Sequence, residues 1–223
     1  MKIENWKEKA YLLEILGCII YTFIIFLAML FYTGGTADNP NIDGYSFWGN
    51  TISDSGRTTA YSGKSNTISM ILLSTALILF AITTIPFFLA LRYFFIEVKI
   101  EKKLSTIGSI CGIIASISLV GIAFTPADIL IGPHMIFVYI RYSSVFAMGV
   151  LFSLVMYMNN EFPRQYTYII IIFTIVFFII SMMGLVGLAL SRTTMVIGQK
   201  IGWFATLICF VIVGYGGWKL EKT

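Results

Sequence analysis

The sequence predicts an all-α polytopic membrane protein, a six-helix transmembrane bundle with a long ordered extracytoplasmic first loop. Three observations carry this prediction. Of the 223 residues, 58% are hydrophobic and only 12% charged. A soluble domain carries about 25% charged residues, so this chain lacks the polar side chains to cover a globule in water. The mean hydropathy is +0.88. The apolar residues gather into six runs, near 11–32, 67–95, 104–125, 135–158, 166–190 and 196–218, each of the roughly 20 residues or more that a bilayer crossing needs. Little chain is left over, and 1–223 reads as a single membrane domain.

The first run follows Met1-Lys2-Ile3-Glu4-Asn5-Trp6-Lys7-Glu8-Lys9, which resembles the basic start of a signal peptide. The apolar stretch from Tyr11 to Tyr32 exceeds the about 7–15 residues of a signal core, and no small-residue cleavage site follows, so a retained helix is expected. Glu14, near its inner end, is expected to snorkel or to pair with Arg92 or a nearby lysine. The second span contains Pro86, which removes a helical N–H and predicts a kink or tilt. The mixed charges from Glu97 to Lys103 form a short turn before the third span. Asn159-Asn160-Glu161-Phe162-Pro163-Arg164 is a tight turn by composition, and connections this short favour antiparallel neighbours.

A weak internal repeat links the two following hairpins. Ser118–His134 and Gly184–Lys200 match at six of 17 positions with an offset of 66, which reads the third–fourth and fifth–sixth spans as related hairpins of the same orientation. Parallel repeats of this sort occur in transporters. Gly184 and Gly187 are small residues that permit close helix packing.

Charge sets the orientation. Lys2, Lys7, Lys9, Arg92, Lys99, Lys102, Lys103, Arg164, Lys219 and Lys222 fall on one side, ten in all, against four on the other, Arg57, Lys64, Arg192 and Lys200. The positive-inside rule then places both termini in the cytoplasm and the first loop, about 33–66, outside the cell membrane. The net charge of +4 therefore reports topology and gives no reason to expect nucleic acid. Trp6, Trp48, Trp203 and Trp218 fall near predicted span ends, as an interfacial belt requires. Cys18, Cys111 and Cys209 lie inside apolar runs without metal-ligand spacing and read as packing residues.

Polarity collects at the outer span ends. The first loop carries Gly44-Tyr45-Ser46-Phe47-Trp48-Gly49-Asn50-Thr51-Ile52-Ser53-Asp54-Ser55-Gly56-Arg57. The third offers Thr125-Pro126-Ala127-Asp128 and then Gly132-Pro133-His134. Arg141 follows His134 by two helical turns on the same face, about 10 Å further into the span. An intramembrane arginine is costly and needs a partner, for which Asp128 and Asp54 are the nearest carboxylates. Ser53, Asp54, Arg57, Asn66, Asp128, His134 and Arg141 are thus expected to meet in an outward polar cluster. It reads either as an ion-pair lock holding the loop over the bundle or as a binding site.

Other chemistries find less in these residues. A zinc site from Asp54, Asp128 and His134 lacks supporting spacing. A Ser53–His134–Asp128 hydrolase lacks a nucleophile elbow. Gly63-Lys64-Ser65 lacks the first glycine of a phosphate loop, whose place is taken by Thr58. No metal, no cofactor and no catalytic residue is assigned.

The order of these pieces resembles a known family. Ser53-Asp54-Ser55-Gly56 in the outward loop, Asn66 at the mouth of the second span, Val120-Gly121-Ile122-Ala123-Phe124-Thr125-Pro126-Ala127-Asp128 closing the third, and His134 opening the fourth are similar to the prokaryotic membrane family called domain of unknown function 998. More distantly they resemble the Frag1/DRAM/Sfk1 six-span group, which is linked to lipid handling. The resemblance implies six spans and makes Asp54, Gly56, Asp128 and His134 the family-matching positions. Ser55 and Ala127 depart from it, standing where leucine and a charged residue are common. The function expected first is non-enzymatic binding or organising of membrane lipid or another amphipathic small molecule. A membrane-embedded hydrolase using Asp128 and His134 is the alternative, and a small-molecule transporter the third.

Overall fold

The computed structural model of the chain describes residues 5–222, for 186 and 188–190 the backbone only. Lys2 of the charge count lies outside the described residues. Six long helices are present among them: α1 Trp6–Leu30, α2 Thr67–Leu91, α3 Lys99–Ala123, α4 Ile131–Met158, α5 Arg164–Leu190 and α6 Arg192–Leu220. All six are long and apolar enough to cross a membrane. A 3-10 turn, Arg92–Phe95, continues α2, so that span begins and ends where its apolar run does, and α2 passes through Pro86 as one helix. Helices α1, α3, α4 and α6 start four or five residues ahead of their apolar runs. Backbone hydrogen bonding does not stop where the hydrocarbon does, and the added turns of α1, α3 and α6 carry charges such as Lys7, Lys99 and Arg192.

The helices pack in a ring in chain order, each on its neighbours, with α6 closing on α1. Leu16, Ile19 and Phe23 of α1 and Ile172, Ile175 and Ile179 of α5 remain exposed on the outside, as a lipid-facing surface requires. The axis is filled by rings. Phe210 of α6 lies 5.6 Å from Phe88 and 5.5 Å from Phe87, both of α2, and 6.1 Å from Phe173 of α5. Lipid offers no hydrophobic drive between helices, so close packing must supply the adhesion. Gly112 supplies some of it, since a Cβ there would come within 2.5 Å of the Phe88 ring.

The two chain ends meet. Lys7 Nζ is 2.9 Å from Glu221 Oε1 and Lys222 Nζ 3.5 Å from Glu8 Oε1, while Trp218 Nε1 donates to Glu8 at 3.1 Å. The turn between α4 and α5 forms at this same end, as its composition predicted: Asn159 Oδ1 accepts the N–H groups of Glu161 and Phe162.

Two expectations are corrected here. Glu14 neither snorkels nor pairs with Arg92. It is fully buried, and its Oε1 accepts from Thr84 Oγ1 at 3.3 Å and Cys18 Sγ at 3.8 Å, because it lies on the α1 face that packs on α2. Trp203 is not an interfacial residue. With α6 starting at Arg192 it stands about 17 Å into the helix, and it is buried.

Candidate functional site: a lid over a lateral cavity

At the end away from the termini, residues 31–66 fold into a lid. The backbone needs Gly35 at φ +84°, where a Cβ would also run into the chain at Tyr61 and Ser62. Thr51 starts a 3-10 turn, Ile52–Gly56, through a reciprocal capping box: Asp54 N donates to Thr51 Oγ1 at 3.1 Å and Thr51 N to Asp54 Oδ2 at 2.8 Å. Asn66, buried at the mouth of α2, donates from Nδ2 to the carbonyls of Ser55 and Arg57 and accepts from Thr33 N. Asp128, in the loop between α3 and α4, accepts Thr58 N at 3.0 Å on Oδ1, and Thr58 Oγ1 at 2.5 Å and Thr59 N at 2.9 Å on Oδ2. Partial burial pushes the Asp128 carboxyl up, but the bonds from Thr58 and Thr59 outweigh it and hold it below the usual carboxylate range. Gln199 of α6 takes the last anchor, accepting Ile52 N at 2.6 Å.

Beneath the lid lies a cavity of about 510 Å³ between α4 and α5. The two helices meet at its floor, where Tyr142 packs on Phe177 at 5.4 Å and Phe146 on Phe178 at 5.5 Å. Nearer the lid, Ile131, Met135 and Tyr139 of α4 face the space from one side, and Met182 and Leu185 of α5 from the other. Its upper rim is polar: Thr51, Ser53, Asp54, Arg57, Tyr61, His134, Arg192 and Gln199.

The rim holds more positive than negative charge. Arg192 NH2 donates to Asp54 Oδ2 at 2.8 Å, and its Nε is buried without a hydrogen-bond partner. The Arg57 and Arg192 guanidinium carbons stand 4.1 and 5.3 Å from the centre of the Tyr61 ring, so two cations share one aromatic ring while Asp54 pairs with Arg192 alone. Burial, with the negative charge of Asp54 next, keeps the Tyr61 phenol protonated above its ordinary range. His134 is buried, with Nδ1 2.7 Å from the carbonyl of Thr125. A carbonyl only accepts, so Nδ1 carries the proton and the neutral ring has Nε2 as its acceptor.

The structure therefore sorts the predicted cluster into three groups. Ser53, Asp54, Arg57 and His134 line the cavity. Asn66 and Asp128 fasten the lid. Arg141 faces a second, deeper chamber on the bundle axis. The expected pairing of Arg141 with Asp54 or Asp128 is corrected: among the described residues Arg141 has no ion pair, Asp54 is held by Arg192, and both Asp128 oxygens are held by Thr58 and Thr59. Two helical turns carry Arg141 below the level of the lid, where the carboxylates sit. Asp54, Asp128 and His134 do not converge either, and no three His, Cys, Asp or Glu side chains are grouped as metal ligands among the described residues.

Four participants escaped the sequence reading: Arg192, Tyr61, Gln199 and Lys200. Lys200 is buried. Its Nζ hydrogen-bonds the Tyr45 hydroxyl and lies 4.6 and 4.8 Å from the ring centres of Tyr45 and Phe47, so it pins the lid without a carboxylate. In the sequence, the offset of 66 between the two similar segments aligns Lys200 with His134. Comparison of the chain with known protein families, with curated proteins and with solved structures gives no match. The likeness to domain of unknown function 998 thus rests on the quoted residues alone.

Proposed function

We propose that this integral membrane protein binds an amphipathic ligand, a lipid or lipid-like molecule, in the cavity between α4 and α5. One observation supports this above others: a single cavity joins a cationic rim under the lid to an apolar wall that descends to Phe146 and Phe178. Phe146 lies about 16 Å below the start of the apolar run at 135, about half of a hydrocarbon core of about 30 Å. The volume, about 510 Å³, falls within the roughly 300–1,000 Å³ of small-molecule sites. The head of the ligand sits among Arg57, Tyr61 and Arg192, and its tail between the two helices.

The hydrolase alternative needs Asp128 and His134 to meet, whereas Asp128 is taken up by Thr58 and Thr59 and His134 Nδ1 by the carbonyl of Thr125. The ten-to-four distribution of basic residues supports both termini being cytoplasmic, and the order of the Ser-Asp-x-Gly, Pro-x-Asp and His pieces supports membership of the domain of unknown function 998 family.

Filling the cavity tests the binding. Ser143→Trp and Ser181→Trp place bulk in its walls. Chain purified in mild detergent is expected to carry lipid by native mass spectrometry, and each variant to lose most of it while melting within a few degrees of the parent. Equal lipid on parent and variants would end the proposal.

A further inference from the structure

The bundle axis holds a second space, about 80 Å³, lined by residues from all six helices and by the lid turn at Ile52 and Ser53. Its lining includes Arg141, and no carboxylate. Arg141 makes no ion pair among the described residues, and the lid carboxylate of Asp54 is engaged by Arg192. Trp203 also lines this chamber, and its Nε1 is a buried donor without a partner. Tyr21, Tyr142 and Ser53 add hydroxyls to the wall, and Gln199 an amide.

An arginine inside a membrane bundle calls for a compensating charge. Here the wall supplies donors: a guanidinium fork, an indole N–H and hydroxyls that can turn to donate. Donors around a fixed guanidinium complement an oxyanion, which the fork engages through two parallel N–H bonds. A water needs only about 10–15 Å³ of such space, so the chamber has room for a group of several heavy atoms.

We propose that the Arg141–Trp203 chamber is a binding site for an oxyanion of phosphate or carboxylate type. The inference stands on Arg141 and Trp203 and does not rest on the amphiphile reading. The two spaces share Ser53, Val138, Tyr142 and Gln199, so the oxyanion has two sources, a free ion or the head of an amphiphile entering from the lateral cavity.

The test uses the full chain in neutral detergent. Its melting is followed against inorganic phosphate, and separately against dodecyl phosphate, with ionic strength held constant by sodium chloride. At least one of the two is expected to raise the melting temperature in a saturable way. Trp203→Phe, which keeps a ring and removes the donor, should weaken the apparent affinity about tenfold. Arg141→Gln should abolish the response, and Arg57→Gln, outside the chamber, should leave that of inorganic phosphate intact. A response to dodecyl phosphate alone, lost in Arg141→Gln, supports the site and names the amphiphile head as its source. No saturable response to either probe overturns the proposal, as does an unchanged response in folded Arg141→Gln. Should that variant fail to fold, parent-like affinity in Trp203→Phe overturns it. Loss of lipid in Ser181→Trp with a retained phosphate response separates the two proposals.

Discussion

The two ends of this bundle handle charge and space in opposite ways. At the end where the termini meet, ions pair across solvent-accessible distances, Lys7 with Glu221 and Lys222 with Glu8, and further in the axis is packed by Phe87, Phe88 and Phe210. At the lid end, Arg57, Arg192, Lys200 and Arg141 outnumber the carboxylates that reach them, and two cavities remain. Packed rings hold helices together through contact alone. A lid held by hydrogen bonds to a few buried side chains can close over space without filling it. Packing contact is thus concentrated at one end and open space at the other.

The largest expected effect tests the packing half of that contrast. Phe210→Ala should destabilise the bundle by about 3–5 kcal/mol, because close-packed rings cannot collapse into the hole. Phe146→Ala, on the floor of the lateral cavity, should cost clearly less. Equal losses in thermal or SDS unfolding would erase the distinction between a packed and an open end.

Next comes the lid. Asn66→Ala removes the side-chain hydrogen bonds to the carbonyls of Ser55 and Arg57 and from Thr33 N, at about 2–3 kcal/mol. The visible result should be faster proteolysis within 33–66, with cleavage elsewhere unchanged. Uniformly faster cleavage would mean that Asn66 supports the whole bundle.

Asp128 sharpens the same point through pH. Its carboxyl is held below the ordinary value, so its contribution is complete above about pH 4, the unfolded range, and is lost as pH falls through the folded value. Lid protection should therefore decline in acid in the parent, and Asp128→Asn should flatten that decline. An identical acid profile in both would remove Asp128 as the clamp. The smallest effect belongs to the termini: Lys7→Ala should change stability by only about 0–1 kcal/mol, since its pair with Glu221 stays partly open to solvent. A larger loss would show that this end also depends on its ions.

Much of the fold was legible in the chain, for a plain reason. A bilayer requires every backbone polar group to be satisfied within the span, so a run such as 67–95 leaves only one structure open. Position along an apolar run does not give depth. Trp203 stands near the start of an apolar run, but its helix begins four residues earlier and carries it inward. Glu14 was given a cation to pair with, yet the packed face of α1 provides Thr84 and Cys18 instead. Ser53, Asp54, Arg57 and His134 line one cavity, and their grouping near span mouths is visible in the sequence. Arg192 enters the sequence reading only as an outer charge, because nothing local to it reveals that Asp54, 138 residues away, is its partner.

Composition and the lengths of the apolar runs determined by themselves that the chain crosses a membrane six times, since hydrocarbon thickness and backbone hydrogen bonding act on each segment alone. Ring closure decided the rest. Which cation meets Asp54, which arginine is left facing the axis, and whether α4 and α5 touch or part under the lid depend on how six helices turn against one another. That rotation is set by side chains far apart in sequence, and no single segment contains it.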